Sequence, residues 1–226
     1  MRPATLSSFT AALMMSAAVL AHDGHLPPGT DDIAFSVPPP GSYRLPPIKS
    51  AAGGAVLDEA GRRQDLLLDA LQGEVSVLAL IYTRCGDICP LASAGMARLQ
   101  DLAAEDPLLS RRMRLVTLSF DPERDTPEAM RDYAAAWRSA NPAAPIWVFL
   151  TAAGRDALAP LLAAYGQHVD AKPGGALNHV FRAFLIDHAG RVRNIYSLDL
   201  FEPALVLADV RTLLLEQSGS DAAPGR

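Results

Sequence analysis

The stretch VSVLALIY (75–82), the turn TRCGDICP (83–90) and the following LASAGMARLQDLAA (91–104) decide the fold. The first eight residues form a continuous apolar run of strand length, the pattern of a strand buried on both faces in a parallel sheet. From Leu91 to Ala104, Leu91, Met96, Leu99 and Leu102 recur at helical spacing. Cys85 and Cys89 therefore sit where a buried strand hands over to a helix, the end of an α/β sheet at which sites are built.

Working outward, MRLVTLSF (Met113 to Phe120) reads as a second strand, and Thr126-Pro127-Glu128 opens a helix with a capping residue followed by proline. Ile146 to Leu150 is a short strand, and Asp156 to Tyr165 a helix closed at Gly166. Val180 to Ile186 and Val192 to Tyr196 are strands joined by the turn Asp187 to Arg191, and Pro203 to Leu215 is a last helix with Leu207, Val210 and Leu214 on its buried stripe. Gly53 to Gly61 gives a short strand and turn ahead of them all. This order predicts an α/β, thioredoxin-like fold with an inserted strand-helix and an N-terminal β-hairpin extension.

With 226 residues, half of them apolar, the chain can bury one substantial core. A formal net charge of -5 and the lack of any Lys/Arg cluster exclude a phosphate-binding surface, so no nucleic acid is expected as a partner. Residues 1–21 carry a short positive start, an apolar run from Phe9 to Leu20, and small residues at Val19 and Ala21, the pattern of a signal peptide. The run falls short of the roughly 20 residues that span a bilayer, so cleavage after Ala21 and an exported, periplasmic protein are expected rather than a membrane anchor. Residues 22–50, rich in Pro and Gly, read as a linker or surface arm. The folded domain is expected over 51–217, and 218–226 as a disordered tail.

An exported pair of cysteines becomes a disulfide by default, yet a structural staple usually closes a long loop and this pair would enclose three residues. The helix start supplies N–H groups and a positive dipole end that favour thiolates, so both cysteines are expected to be reactive. Their spacing of four places them on one face of a helical turn, with Cα atoms about 6 Å apart. That geometry suits a redox disulfide and a two-thiolate metal chelate alike. Two soft thiolates favour copper(I) over hard cations. The loop facing them, Lys172 to His179, offers His179 as a third ligand, and two thiolates with an imidazole suit copper in either oxidation state.

CGDICP (85–90), SFDPERDTP (119–127) and His179, eight residues before the Asp187 of FLID (184–187), together resemble the Sco/SenC family of copper-binding thioredoxin-fold proteins over roughly residues 50 to 217. The resemblance implies assembly of the dinuclear copper centre of cytochrome c oxidase, with copper ligands at Cys85, Cys89 and His179. It also implies a copper-receiving oxidase subunit or other cuproprotein as partner, alongside a copper donor chaperone or a thiol reductase. Two features depart from the family: Gly86 stands where proline is usual after the first cysteine, and the usual membrane anchor looks too short.

The alternative function is a thiol-disulfide oxidoreductase acting on the cysteines of an exported target. A peroxidase of the same fold ranks last, and structural zinc would want a fourth ligand. His168, after a helix end, and His188, in a hairpin turn, read as surface residues. Asp125 and Thr126 suit capping of the following helix, while Asp121, beside Arg124, is a candidate partner for the thiolates. His22 and His25 would open the mature chain and could form an accessory copper(II) site, though a solvated terminus is the expected reading.

Overall fold

The computed structural model describes residues 36–71, 75–172 and 176–221. The expected signal peptide, His22, His25 and the first half of the predicted arm lie outside the described residues, as do 222–226. The central sheet forms around β4 (Val75–Ile81), all seven residues of which are buried. Fully burying each of its Leu and Ile side chains contributes about 2 kcal/mol, which holds this strand at the centre of the core.

β5 (Met113–Ser119) pairs parallel with β4 from Val75↔Met113 to Ile81↔Ser119, and β6 (Trp147–Leu150) pairs parallel with β5 on the far side. On the other flank β9 (Ala183–Ile186) runs antiparallel to β4, followed by β10 (Arg191–Tyr196) and then β1 (Lys49–Ser50) at the edge. The order β1-β10-β9-β4-β5-β6, with a parallel half and an antiparallel closing hairpin, is thioredoxin-like. β2 (Ala55–Leu57) and β3 (Arg63–Asp65) form the expected N-terminal hairpin, and β6 with α4 (Arg155–Tyr165) is the expected insertion.

α1 (Ile88–Ala104) buries Cys89, Ala92, Ser93, Met96, Leu99, Gln100 and Ala103 on one face; of the four residues read at helical spacing, Met96 and Leu99 are buried, Leu102 is half-buried and Leu91 is exposed. It packs against α5 (Pro203–Asp221). Gly95 makes one contact possible: a Cβ there would lie 3.0 Å from the Phe201 ring, which packs on Phe181 at 5.6 Å between centroids. α3 (Pro127–Trp137) is capped by Thr126, whose Oγ1 accepts the Ala129 N–H at 3.2 Å.

Several boundaries differ from expectation. The helix after the cysteines begins at Ile88, so Cys89 is inside it while Cys85 lies on the preceding turn, and the two do not share one helical turn. α2 (Pro107–Arg112), capped by Asp106 with proline at its first turn, and a single π turn over Leu66–Ala70 escaped the periodicity reading because each is too short to show it. The strand expected over 180–186 begins at Ala183. Ahead of it, β7 (Val169–Ala171) and β8 (Leu177–His179) form a small antiparallel hairpin in place of a loop. The domain starts earlier than residue 51: Gly41 N–H donates to Thr212 Oγ1 at 3.0 Å, Tyr43 to Asp209 at 2.5 Å and Ile48 N–H to the Val192 carbonyl at 2.8 Å, fastening the second half of the arm to β10 and α5. The first residues of the expected tail are helical as far as Asp221, and Ser218 Oγ donates to the Leu214 carbonyl at 3.0 Å.

Candidate metal centre

The chain leaves β4 through Tyr82 and Thr83 and turns at once, the Cys85 N–H donating to the Tyr82 carbonyl at 3.3 Å. Cys85 lies at this turn, and Cys89 is the second residue of α1. Its N–H points back and donates to Cys85 Sγ at 3.3 Å. The opening of the helix thus does with one sulfur what helix starts do with anions. Across the sheet end, the hairpin of β7 and β8 presents His179, whose Nε2 lies 3.5 Å from Cys89 Sγ.

The imidazole is held on three sides. Nδ1 lies 3.3 Å from the Leu177 carbonyl, an acceptor, which assigns the ring proton to Nδ1 and leaves the Nε2 lone pair facing the sulfurs. Phe120 lies 4.9 Å from the ring and Tyr82 5.4 Å, edge-on. The Tyr82 hydroxyl accepts the Leu177 N–H at 3.3 Å, tying the His179 strand to the strand that carries the cysteines.

The two Sγ atoms and a His179 nitrogen all lie within 4.8 Å of one another. Among the described residues no other group of three or more His, Cys, Asp or Glu side chains converges in this way. Both cysteines are thiols. A cavity of about 260 Å³ opens beside Cys85 and His179, lined also by Arg84, Ile88 and Lys172, while Cys89 lies buried behind it.

The two thiols sit in different surroundings. Burial pushes Cys85 up, but N–H groups of Cys89, Asp87 and Ile88 aimed at its sulfur outweigh this and hold the thiol below its ordinary value. Burial drives the Cys89 thiol far above the ordinary range, with the Cys85 sulfur and the Asp125 carboxylate adding to the rise. His179 is held below the usual imidazole value, first by burial and then by Lys172, against the opposing pull of the Leu177 carbonyl and Asp87. Its neutral, ligand-competent form therefore persists to lower pH than a free imidazole's.

The structure reassigns the acidic residues of the 119–127 segment. Thr126 alone caps α3; Asp125 is fully buried beneath the cysteine turn. Its carboxylate accepts the Thr83 N–H at 2.9 Å, the Thr83 hydroxyl at 2.5 Å and the Ser119 hydroxyl at 2.5 Å. Asp121, a candidate partner for the thiolates, pairs with Arg124 at 3.1 Å. His168 and His188 are exposed and take no part in the cluster. Tyr82, Thr83, Ser119 and Phe120 support the site without having been singled out in the sequence. Their motifs were visible there, but which side chains meet across the sheet end was not.

Fold and site together define a thioredoxin-like protein with a Cys2His cluster at the carboxyl end of its central strand. The SCO1/SenC family profile matches residues 57–215, and the chain belongs to that family. It is 26% identical over 140 residues to the SCO1 protein homolog of Bacillus subtilis, a match that covers 59% of this chain and 67% of that protein. ScoI of Bradyrhizobium japonicum with copper bound superimposes with a TM-score of 0.58 at 21% identity, covering 70% of this chain and 97% of that one. BsSco, a member of the Sco family of cytochrome c oxidase assembly proteins in which a disulfide switch has been identified, superimposes with a TM-score of 0.62 at 22% identity over 76% of this chain and 98% of that one.

Proposed function

We propose that this protein holds copper through Cys85 Sγ, Cys89 Sγ and His179 Nε2 and delivers it to a cuproprotein, the dinuclear copper site of a cytochrome c oxidase being the expected acceptor. The observation that carries the reading is the meeting of two thiols and an imidazole lone pair within 4.8 Å, from two separate segments of chain, beside an open cavity. The donor set fits the ion: two sulfurs and one nitrogen suit copper(I) and, with a further weak ligand, copper(II). Cys85 enters as the more readily ionised ligand, Cys89 loses its proton as the ion arrives, and His179 completes the set. The N-terminal pattern of residues 1–21 supports export to the periplasm, where such an acceptor is reached.

A second reading is thiol-disulfide exchange on the acceptor's cysteines. It is favoured by the polarity of the pair: both sulfurs are buried, but Cys85 lines the cavity and its thiol is held low, whereas Cys89 does not line it and its thiol is held high. The Cys85 thiolate would attack an acceptor disulfide, and Cys89, giving up its proton, would then release the reduced acceptor and leave the Cys85–Cys89 disulfide. Copper(I) occupies both sulfurs as thiolates, so one molecule cannot do both at once.

Incubating an acceptor domain with wild type or His179→Ala, then measuring its copper and free thiols, decides between them. Delivery requires copper transfer that His179→Ala loses. Efficient acceptor reduction by metal-free His179→Ala, together with no copper transfer by wild type, overturns the delivery reading.

A further inference from the structure

Asp125 is an unusual residue for its position. Its side chain is completely buried, and both carboxylate oxygens are occupied by donors: Oδ2 by the Thr83 N–H and Ser119 hydroxyl, Oδ1 by the Thr83 hydroxyl. Ser119 Oγ itself accepts the Asp121 N–H at 3.0 Å, so its own proton is free for Asp125. Acceptance on both oxygens is the pattern of the ionised carboxylate. Among the described residues it has no ion pair. The adjacent cation, Arg124, is taken by Asp121, and Arg155 is taken by Glu123 at 2.6 Å. A buried charge with hydrogen bonds but no counter-ion is costly to maintain unless something else balances it.

That carboxylate lies under the turn that carries Cys85. Thr83, which gives Asp125 two of its three bonds, is two residues from Cys85 on the turn, and Ser119 ends the neighbouring strand. We propose that Asp125 sets the charge preference of the Cys85–Cys89–His179 cluster, fixing the cysteine turn through Thr83 and favouring a divalent over a monovalent ion, hence copper(II) relative to copper(I). The inference rests on the reading that this cluster binds copper. The physical step is short. A thiophilic ion of either charge displaces the same thiol protons, so the two complexes differ by one unit of charge, and a fixed anion nearby stabilises the more positive one. The Asp125 carboxylate is also among the charges that raise the Cys89 thiol.

The test uses two redox-inert, thiophilic probes, cadmium(II) and silver(I), titrated by chelator competition into the reduced full chain. In Asp125→Asn the ratio of cadmium(II) to silver(I) affinity should fall about tenfold, the size of effect expected for one charge at protein-interior dielectric. Thr83→Val, which removes a hydroxyl from the turn and keeps the carboxylate, should weaken both ions equally and leave the ratio unchanged. If Asp125→Asn does not fold, Asp125→Ser removes the same charge and should show the same fall. An unchanged ratio in the charge-removing variant, or an equal fall in Thr83→Val, overturns the role of Asp125 and leaves the copper reading standing. A wild-type chain that binds neither probe overturns both.

Discussion

The carboxyl end of β4 and the edge formed by β10 and α5 both bury ionisable groups, and they treat them in opposite ways. At the edge, Asp187 accepts the N–H groups of Ala189 at 3.0 Å and Arg191 at 2.9 Å, and the guanidinium of Arg193 at 2.8 Å. Arg193 is turned inward by an irregularity in the β9–β10 register and passes on to Glu216 at 2.6 Å. Asp209 beside it receives Tyr43, Tyr196 and Asn194 at 2.5, 2.6 and 2.8 Å. Each polar atom there already has its partners. At the site, Cys89 Sγ faces His179 Nε2 at 3.5 Å, and Cys85 Sγ receives the Cys89 N–H at 3.3 Å. Saturated buried polar groups hold a fold together, whereas converging groups with unused lone pairs await a ligand.

The comparison can be broken in order of effect. Cys89→Ser should reduce copper(I) affinity at least about 1000-fold, beyond the 10–100-fold that loss of a supporting partner costs, while leaving the melting temperature nearly unchanged. Competition titration and thermal unfolding of the same sample check both halves. Asp187→Asn should do the reverse, costing about 2 kcal/mol in denaturant unfolding because Arg193 keeps Glu216 but loses its buried charged partner, with copper affinity intact.

The second effect carries a pH signature. Burial pushes the Asp187 carboxyl up, but Arg193 and Arg191 outweigh it and hold the group below the usual carboxylate range. Its contribution is therefore complete above the unfolded value of about 4 and is lost as pH falls through the folded one. The gap between wild type and Asp187→Asn should be full at pH 7 and shrink below about pH 4. A constant gap down to acid unfolding breaks the assignment.

Smaller effects sharpen the same contrast. Oxidising Cys85 and Cys89 closes so short a loop that stability should change by about 2 kcal/mol or less. A larger rise would make the pair a staple instead. Gly86→Ala should matter least, within about 0.5 kcal/mol, since a Cβ there meets nothing within 4 Å and the N–H groups that hold the Cys85 sulfur belong to other residues. A marked loss of copper affinity in Gly86→Ala would show that glycine is required at that turn.

Long periodic elements were legible in the sequence because their burial is written in side-chain spacing: β4, α1 and β5 stand where the apolar pattern puts them, within a residue or a few. Short elements such as α2 and the β7–β8 hairpin carry too few residues to display a period. The convergence of Cys85, Cys89 and His179 was legible from the cysteine spacing and the position of His179 ahead of the hairpin. Asp125 was not, because a carboxylate one residue before a capping threonine reads locally as part of a cap. Its bond to Thr83 spans 42 positions, and only the parallel pairing of β4 with β5 brings them together. The difference between the thiols was equally hidden, since it depends on which sulfur the first N–H groups of α1 face.

The most direct test of the central claim is X-ray absorption at the copper edge of the reduced, copper(I)-loaded chain, compared with His179→Ala. The account predicts two sulfur neighbours and one imidazole nitrogen in the wild type, and loss of the imidazole with both sulfurs retained in the variant. An imidazole signal that survives in His179→Ala, or fewer than two sulfurs in the wild type, would contradict it.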